Sequence, residues 1–91
     1  MEKVKVIFCK EKKGDIVAFF PELKANYGRM ICYAHVGQHS EADVSYYWTT
    51  KKAVENEYKP LLDELKGVYN DCILEVKYKL YYNDLTTKAW I

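Results

Sequence analysis

The sequence predicts a single α+β domain, a two-layer sandwich in which one amphipathic helix packs against an antiparallel sheet of four to six strands. Three observations predict this fold class. Short segments in the first half of the chain are alternately or continuously apolar, as strands are, whereas residues 54–69 have the periodicity of a helix. Alternation returns after residue 72, so the predicted order is β-β-β-β-α-β. The predicted domain spans residues 1–91, which is a single-domain length.

The first two predicted strands form a hairpin. Val4, Val6 and Phe8 alternate with other residues, which is the pattern of a half-buried strand. Residues 16–20 are apolar throughout and form the second strand. The polar segment between the two strands contains Gly14, a residue that suits a tight turn.

Two more strands are predicted before the helix. Residues 29–36 alternate, with Met30 on one face of the strand and Tyr33 on the other. Residues 37–41 are polar and are predicted to form a loop. Residues 43–49 are rich in β-branched and aromatic side chains, which predicts the fourth strand.

The helix is predicted from apolar residues at helical spacing. These residues are Val54, Tyr58, Leu61, Leu62, Leu65 and Val68 or Tyr69. Pro60 interrupts the pattern, because a proline inside a helix removes one backbone hydrogen bond. The helix therefore either begins near Ala53 and is kinked, or becomes regular only at Pro60. We prefer the longer helix, because Val54 and Tyr58 continue the apolar stripe.

Residues 72–82 alternate most clearly and predict the strand after the helix. Residues 85–91 either pair back as a short final strand or form a tail. The single helix covers one face of the sheet, and little sequence is left to cover the other. We expect Tyr33, Tyr47 and Tyr81 on that second face, where exposed rings would favour a homodimer.

Charge and cysteine content indicate the general class of protein. The net charge is +1, so no overall basic field attracts nucleic acid. The three cysteines are odd in number and widely spaced, which is not the pattern of a disulfide framework. Charged residues follow Met1 without the apolar stretch of a signal peptide, and no run of 18 apolar residues occurs. We therefore expect a soluble cytoplasmic protein with reduced thiols and no membrane partner.

The densest group of reactive residues does not form a convincing catalytic or metal site. It consists of Cys32, His35, His39, Glu41 and Asp43. Cys32 and His35 are three apart on one predicted strand, so their side chains point to opposite faces. A structural zinc site also requires four closed ligands, and no phosphate-binding glycine loop occurs in the chain. We expect no catalytic residue, no metal and no cofactor, and thus a non-enzymatic function.

Three consecutive large rings at residues 46–48 are the main candidate for protein binding. Side chains alternate along a strand, so at least one ring must be exposed, and exposed Tyr and Trp often anchor protein contacts. The alternative is that the surplus ring covers the start of the helix or the second sheet face. With the neighbouring loop, the predicted partner-binding residues are Tyr46, Tyr47, Trp48, Gln38, His39 and Glu41.

Nucleic-acid binding is the second hypothesis. Residues 77–82 interleave lysines with aromatic rings, and proteins that bind single strands use tyrosines as stacking platforms. Alternation separates this segment into two faces, and the face with Tyr78 and Leu80 is expected to be core. The residues of this alternative surface are Lys3, Lys5, Lys77, Lys79 and Tyr81.

Several segments together resemble a family of short proteins of bacteriophages and other mobile elements. The similar segments are residues 1–8, 14–21 and 32–40, with 57–58 and 61–65 matching the family's helix. Gly37-Gln38-His39-Ser40 is the most specific part of the resemblance. The family has no assigned activity, so the resemblance implies a genomic setting. By analogy, it implies an accessory protein that binds a host or defence protein.

Overall fold

The computed structural model of the protein describes residues 2–23, 29–34 and 38–80. The predictions for His35, for Tyr81 and for residues 85–91 lie outside the described residues. Among the described residues the structure confirms the α+β class, with one main helix on an open sheet of six strands. In chain order the elements are β1 (Glu2–Lys10), β2 (Ile16–Phe20), β3 (Arg29–Ala34), β4 (Gln38–Asp43), α1 (Val44–Tyr47), β5 (Lys51–Lys52), α2 (Glu55–Val68) and β6 (Cys72–Lys77).

The strands lie in the order β4-β3-β2-β1, and each neighbouring pair is antiparallel. The short β5 pairs antiparallel with the end of β1, and β6 pairs with the beginning of β1. β6 is the exception to the antiparallel pattern, because it runs parallel to β1 from Glu2 opposite Cys72 to Ile7 opposite Lys77. A helical connection such as α2 is what allows a chain to return in the parallel direction.

The helix face of the sheet contains the larger part of the core. Phe8 and Tyr58 stack face to face across this layer, with ring centroids 4.5 Å apart. Leu65 of α2 is fully buried there. The buried residues of this face are Val4, Val6, Phe8, Ala18, Phe20, Tyr33, Ala53, Tyr58, Leu61 and Leu65.

The predicted longer form of the helix is confirmed. α2 begins at Glu55 and includes Pro60 in its interior. At its start the carboxylate of Glu57 accepts a hydrogen bond of 3.0 Å from the backbone N–H of Val54. This contact satisfies one of the backbone donors that the first turn of a helix leaves without a partner.

The segment between β3 and α2 differs from the sequence prediction. The predicted loop at 37–41 falls largely within β4, and the predicted strand at 43–49 is mostly the short helix α1. Helical geometry places Val44 and Tyr47, three residues apart, on the same side of α1. Both pack against the sheet, which an extended chain could not achieve for this pair.

The second face of the sheet is also covered, contrary to the prediction. Over its middle strands lie α1 and the buried Leu80. Tyr33 belongs instead to the helix face, where it contacts the α2 layer. The buried residues of the second face are Ile7, Cys9, Val17, Phe19, Met30, Cys32, Val44 and Leu80. The exposed rings that motivated a homodimer are therefore not on an open sheet face.

Candidate functional site

The predicted partner-binding residues whose side chains the structure describes divide between the two faces of the sheet. In β4, His39 pairs with Tyr33 and Glu41 pairs with Ile31, which places both on the helix face. The rings of α1 lie on the opposite face. The predicted loop and the predicted rings therefore do not form one patch on one face.

His39 joins β4 to the end of α2. Its Nε2 lies 2.6 Å from the hydroxyl of Tyr69, and its ring is 5.0 Å from that of Tyr33 and 5.9 Å from that of Phe20. Beside it, the hydroxyl of Tyr33 donates a hydrogen bond to the carboxylate of Glu64. These contacts hold the edge of the sheet against the helix.

Tyr46 and Tyr47 mainly support the fold. Both rings pack against the fully buried Phe19, with centroid distances of 6.0 and 5.6 Å. The hydroxyl of Tyr46 donates to Glu11, and that of Tyr47 accepts a 3.2 Å hydrogen bond from the backbone N–H of Leu80. Burial raises the pKa of both phenols, and the hydrogen bond to Glu11 raises the pKa of Tyr46 further. Two of the three rings thus cover the second face of the sheet, which was the alternative to a role in partner binding.

Trp48 is the exposed ring of the three, with 58% of its surface accessible. Its ring contacts that of the half-buried Tyr47 edge to face, with ring centroids 5.0 Å apart. The end of α1 is fixed by the hydroxyls of Thr49 and Thr50. They donate to the carbonyls of Tyr46 and Tyr47 at 2.7 and 2.6 Å. Trp48 is therefore presented to solvent from a well-anchored turn.

A small cavity of about 170 Å³ separates Trp48 from Tyr78. Tyr78 is 51% exposed, although alternation predicted it to be core. Lys51 and Lys52 also line the cavity, and the Nζ of Lys52 lies 4.6 Å above the centre of the Tyr78 ring. We call Trp48, Tyr78, Lys51 and Lys52 the Trp48 surface. Sequence reasoning missed its last three members.

Tyr78 is also held in place from the helix side. Its hydroxyl lies 3.0 Å from that of Tyr58, a buried residue of α2. This hydrogen bond, followed by burial, raises the pKa of Tyr58 to about 12. Both exposed rings of the Trp48 surface thus contact packed tyrosines, Trp48 the half-buried Tyr47 and Tyr78 the buried Tyr58, so the surface is largely formed before any partner binds.

The lysines of the nucleic-acid hypothesis are partly neutralised. Lys3 and Lys5 in β1 lie opposite Ile73 and Glu75 in β6, and Lys77 contacts Glu75 at 3.0 Å. The hydrogen bond from Lys77 is the main cause that lowers the pKa of Glu75, and the charges of Lys3 and Lys5 add to it. Lys5 is also 3.8 Å from Glu22. Lys79 lies beyond the end of β6, and Tyr81 lies outside the described residues.

All three cysteines are free thiols, and Cys9 and Cys32 are buried. Burial raises the pKa of Cys9, which lowers its reactivity at neutral pH. The Sγ of Cys32 lies 3.2 Å from the Oγ of Ser40. In the part of the chain that the structure describes, no three His, Cys, Asp or Glu side chains gather as a metal site would require.

No protein-family model, curated protein or solved structure matches this chain. Within residues 2–23, 29–34 and 38–80, neither helix has the length and apolar character needed to cross a bilayer. Among the exposed side chains described above, Trp48 is the most exposed large ring.

Proposed function

We propose that the protein is a non-enzymatic binding module that contacts a protein partner through the Trp48 surface. The observation that carries this proposal is the 58% exposure of Trp48 at the end of a short helix whose other rings are packed. Tryptophan is enriched among the residues that contribute most to protein interfaces. A ring fixed before binding loses little conformational entropy when a partner covers it.

The charges around Trp48 indicate which partner surface would fit. Lys51 and Lys52 are exposed beside the ring, so an apolar contact flanked by carboxylates on the partner would be complementary. A protein partner is favoured over nucleic acid, because two lysines of the nucleic-acid hypothesis are close to carboxylates. Lys77 lies beside Glu75, and Lys5 lies beside Glu22. The net charge of +1 also favours a protein partner, because it gives little overall attraction to phosphates.

The resemblance to phage and mobile-element proteins suggests a setting for this contact. In that setting the partner would be a host or defence protein, met in the cytoplasm. The three free thiols agree with a reducing compartment, where disulfides seldom persist.

Affinity capture from lysate tests the proposal when wild type is compared with three variants. Trp48→Ala and Tyr78→Ala remove the exposed rings, and Val68→Ala removes an apolar side chain of 49% exposure from α2. We expect a stoichiometric partner that survives nuclease treatment and is retained by Val68→Ala. We expect that partner to be lost or strongly reduced with Trp48→Ala, roughly thirtyfold in affinity once it is purified.

Two results would contradict the proposal. If Trp48→Ala captures the partner as well as wild type does, the surface is misplaced. If capture depends on intact nucleic acid, the nucleic-acid hypothesis replaces the protein partner. Circular dichroism of each variant shows whether the fold is kept, which separates a lost contact from a lost structure.

A further inference from the structure

The outer edge of β4 is open in the part of the chain that the structure describes. β4 is the terminal strand of the sheet, and β3 is its one described neighbour. Its six residues, Gln38–Asp43, include neither lysine nor proline, the residues that most often prevent an edge strand from pairing with another chain. An edge of this kind offers a row of backbone donors and acceptors to a further strand.

The sequence of β4 is complementary to itself around Ser40. His39 and Glu41 flank Ser40, and both lie on the helix face of the sheet. In an antiparallel pair of two β4 strands centred on Ser40, His39 of each copy lies opposite Glu41 of the other. Acid–base pairs directly opposite each other stabilise antiparallel strands, and this arrangement forms two of them.

We propose that two copies of this chain associate through their β4 edges, antiparallel and with the two-fold axis at Ser40. Directly opposed residues of antiparallel strands point to the same face. Because His39 and Glu41 share the helix face, the two α2 helices lie on the same side of one continuous sheet. The dimer is thus compatible with the core of each copy as it stands.

Other registers of the same pairing are less favourable. A shift of two residues in one direction places Glu41 opposite Glu41 of the second copy, and like charges in that position destabilise a pair. A shift of two residues in the other direction places His39 opposite His39 and removes both His39–Glu41 pairs. A shift of one residue inverts the second copy, so that its helix face lies on the same side of the joined sheet as the second face of the first copy. Charge therefore selects the register centred on Ser40.

This dimer uses a different surface from the proposed partner contact. Trp48 lies beside Lys51 and Lys52 of β5, whereas β4 is the edge strand at the other end of the sheet. Either proposal can fail without the other.

Disulfide trapping tests the register directly. Opposed Cα atoms in an antiparallel pair are about 4.5–5.5 Å apart, which suits a disulfide, so Ser40→Cys should link two copies. Ala42→Cys is the matched control, because the two Ala42 Cα atoms would be roughly 13 Å apart. Both are made with Cys32→Ala and Cys72→Ser, because Cys32 lies 3.2 Å from the side chain of Ser40 and would compete for the new thiol.

Oxidation with diamide, which takes up the two thiol hydrogens, is followed by non-reducing electrophoresis and intact mass. We expect most of the Ser40→Cys chains as a covalent dimer of twice 10.7 kDa, and Ala42→Cys chains mainly as monomer. Equal trapping at both positions, or trapping at Ala42 alone, would overturn the register.

A second measurement keeps the natural cysteines. Glu41→Lys replaces both cross-strand carboxylates, so the dimer dissociation constant measured by sedimentation should rise about tenfold. Glu55→Lys is the control for the same change of charge. Glu55 lies at the start of α2, whereas Tyr69, which contacts β4, lies at its end. A wild-type chain of monomeric mass at every concentration, or an equal loss of dimer in both variants, would overturn the proposal.

Discussion

Phe19 provides the sharpest test of the covering of the second sheet face. It lies on β2, is fully buried, and has Tyr46 and Tyr47 of α1 as ring neighbours at 6.0 and 5.6 Å. If α1 were a strand and this face were open, as the sequence suggested, Phe19 would be exposed. Its replacement would then change stability by less than about 0.5 kcal/mol.

The structure predicts a much larger effect. Phe19→Leu removes two aromatic contacts worth about 0.5–1.5 kcal/mol each, so we expect the free energy of unfolding to fall by roughly 1–3 kcal/mol. Phe19→Ala should cost about 3–5 kcal/mol. That is a large part of the total stability of a small domain, so the leucine variant is the safer choice for measurement.

Urea unfolding, followed by circular dichroism, measures the difference. A loss of 2 kcal/mol should lower the midpoint by about 1 M without a change of slope. Ile73→Ala is the matched control, because Ile73 lies on the same face but is 45% exposed. If Phe19→Leu and Ile73→Ala have equally small effects, α1 does not cover this face and the reasoning is refuted.

Two further predictions concern α2. Pro60→Ala should stabilise the protein by up to about 3 kcal/mol, because alanine restores a backbone donor toward the carbonyl of Asn56; an unchanged or lower thermal midpoint would indicate a helix that begins at Pro60. The phenol of Tyr58, with its pKa raised to about 12, should favour the folded state fully below its ordinary pKa and lose that contribution as pH rises toward 12. In an alkaline ultraviolet titration, Tyr78→Phe should lower the pH at which the Tyr58 phenol ionises, and an unchanged Tyr58 ionisation would show that the hydrogen bond does not cause the shift.

Much of the fold could be predicted because the hydrophobic period is unambiguous in most segments. β1 and β2 lie near their predicted positions, and α2 follows its apolar stripe through Pro60. Periodicity records which residues an element buries, so it is reliable wherever one face of that element meets the core. The direction of β6 was not predictable in the same way, since period 2 is common to parallel and antiparallel strands.

The region from residue 37 to residue 49 could not be predicted from local preference. β4 is polar and has no β-branched residue, yet it is a strand because β3 offers it an edge to pair with. The following Val44–Tyr47 segment is β-prone, yet it is helical and buries Val44 on the second sheet face. Tertiary packing decided both segments against their intrinsic propensities.

The candidate site could be predicted only in part, because packing also decides which of its rings are exposed. Three adjacent rings required at least one to be exposed, but only the packing of α1 on Phe19 selects Trp48. Alternation predicts Tyr78 in the core only if the strand continues past Lys77, where β6 ends. Once the strand ends, the chain turns Tyr78 outward beside Lys52, whereas Leu80 is buried next to Tyr47, as predicted.

The conformation of α1 thus connects the stability of the domain with its proposed function. A strand at this position would alternate its rings and leave Tyr47 on the opposite side from Tyr46 and Trp48. As a helical turn, the segment uses two rings to cover the sheet and directs the third away from it. Because the ring of Trp48 contacts Tyr47, and Tyr47 contacts Phe19, a destabilised core should also disturb the Trp48 surface. Phe19→Leu is therefore expected to weaken partner binding without touching the partner, and unchanged binding would show that Trp48 acts independently of the packing beneath it.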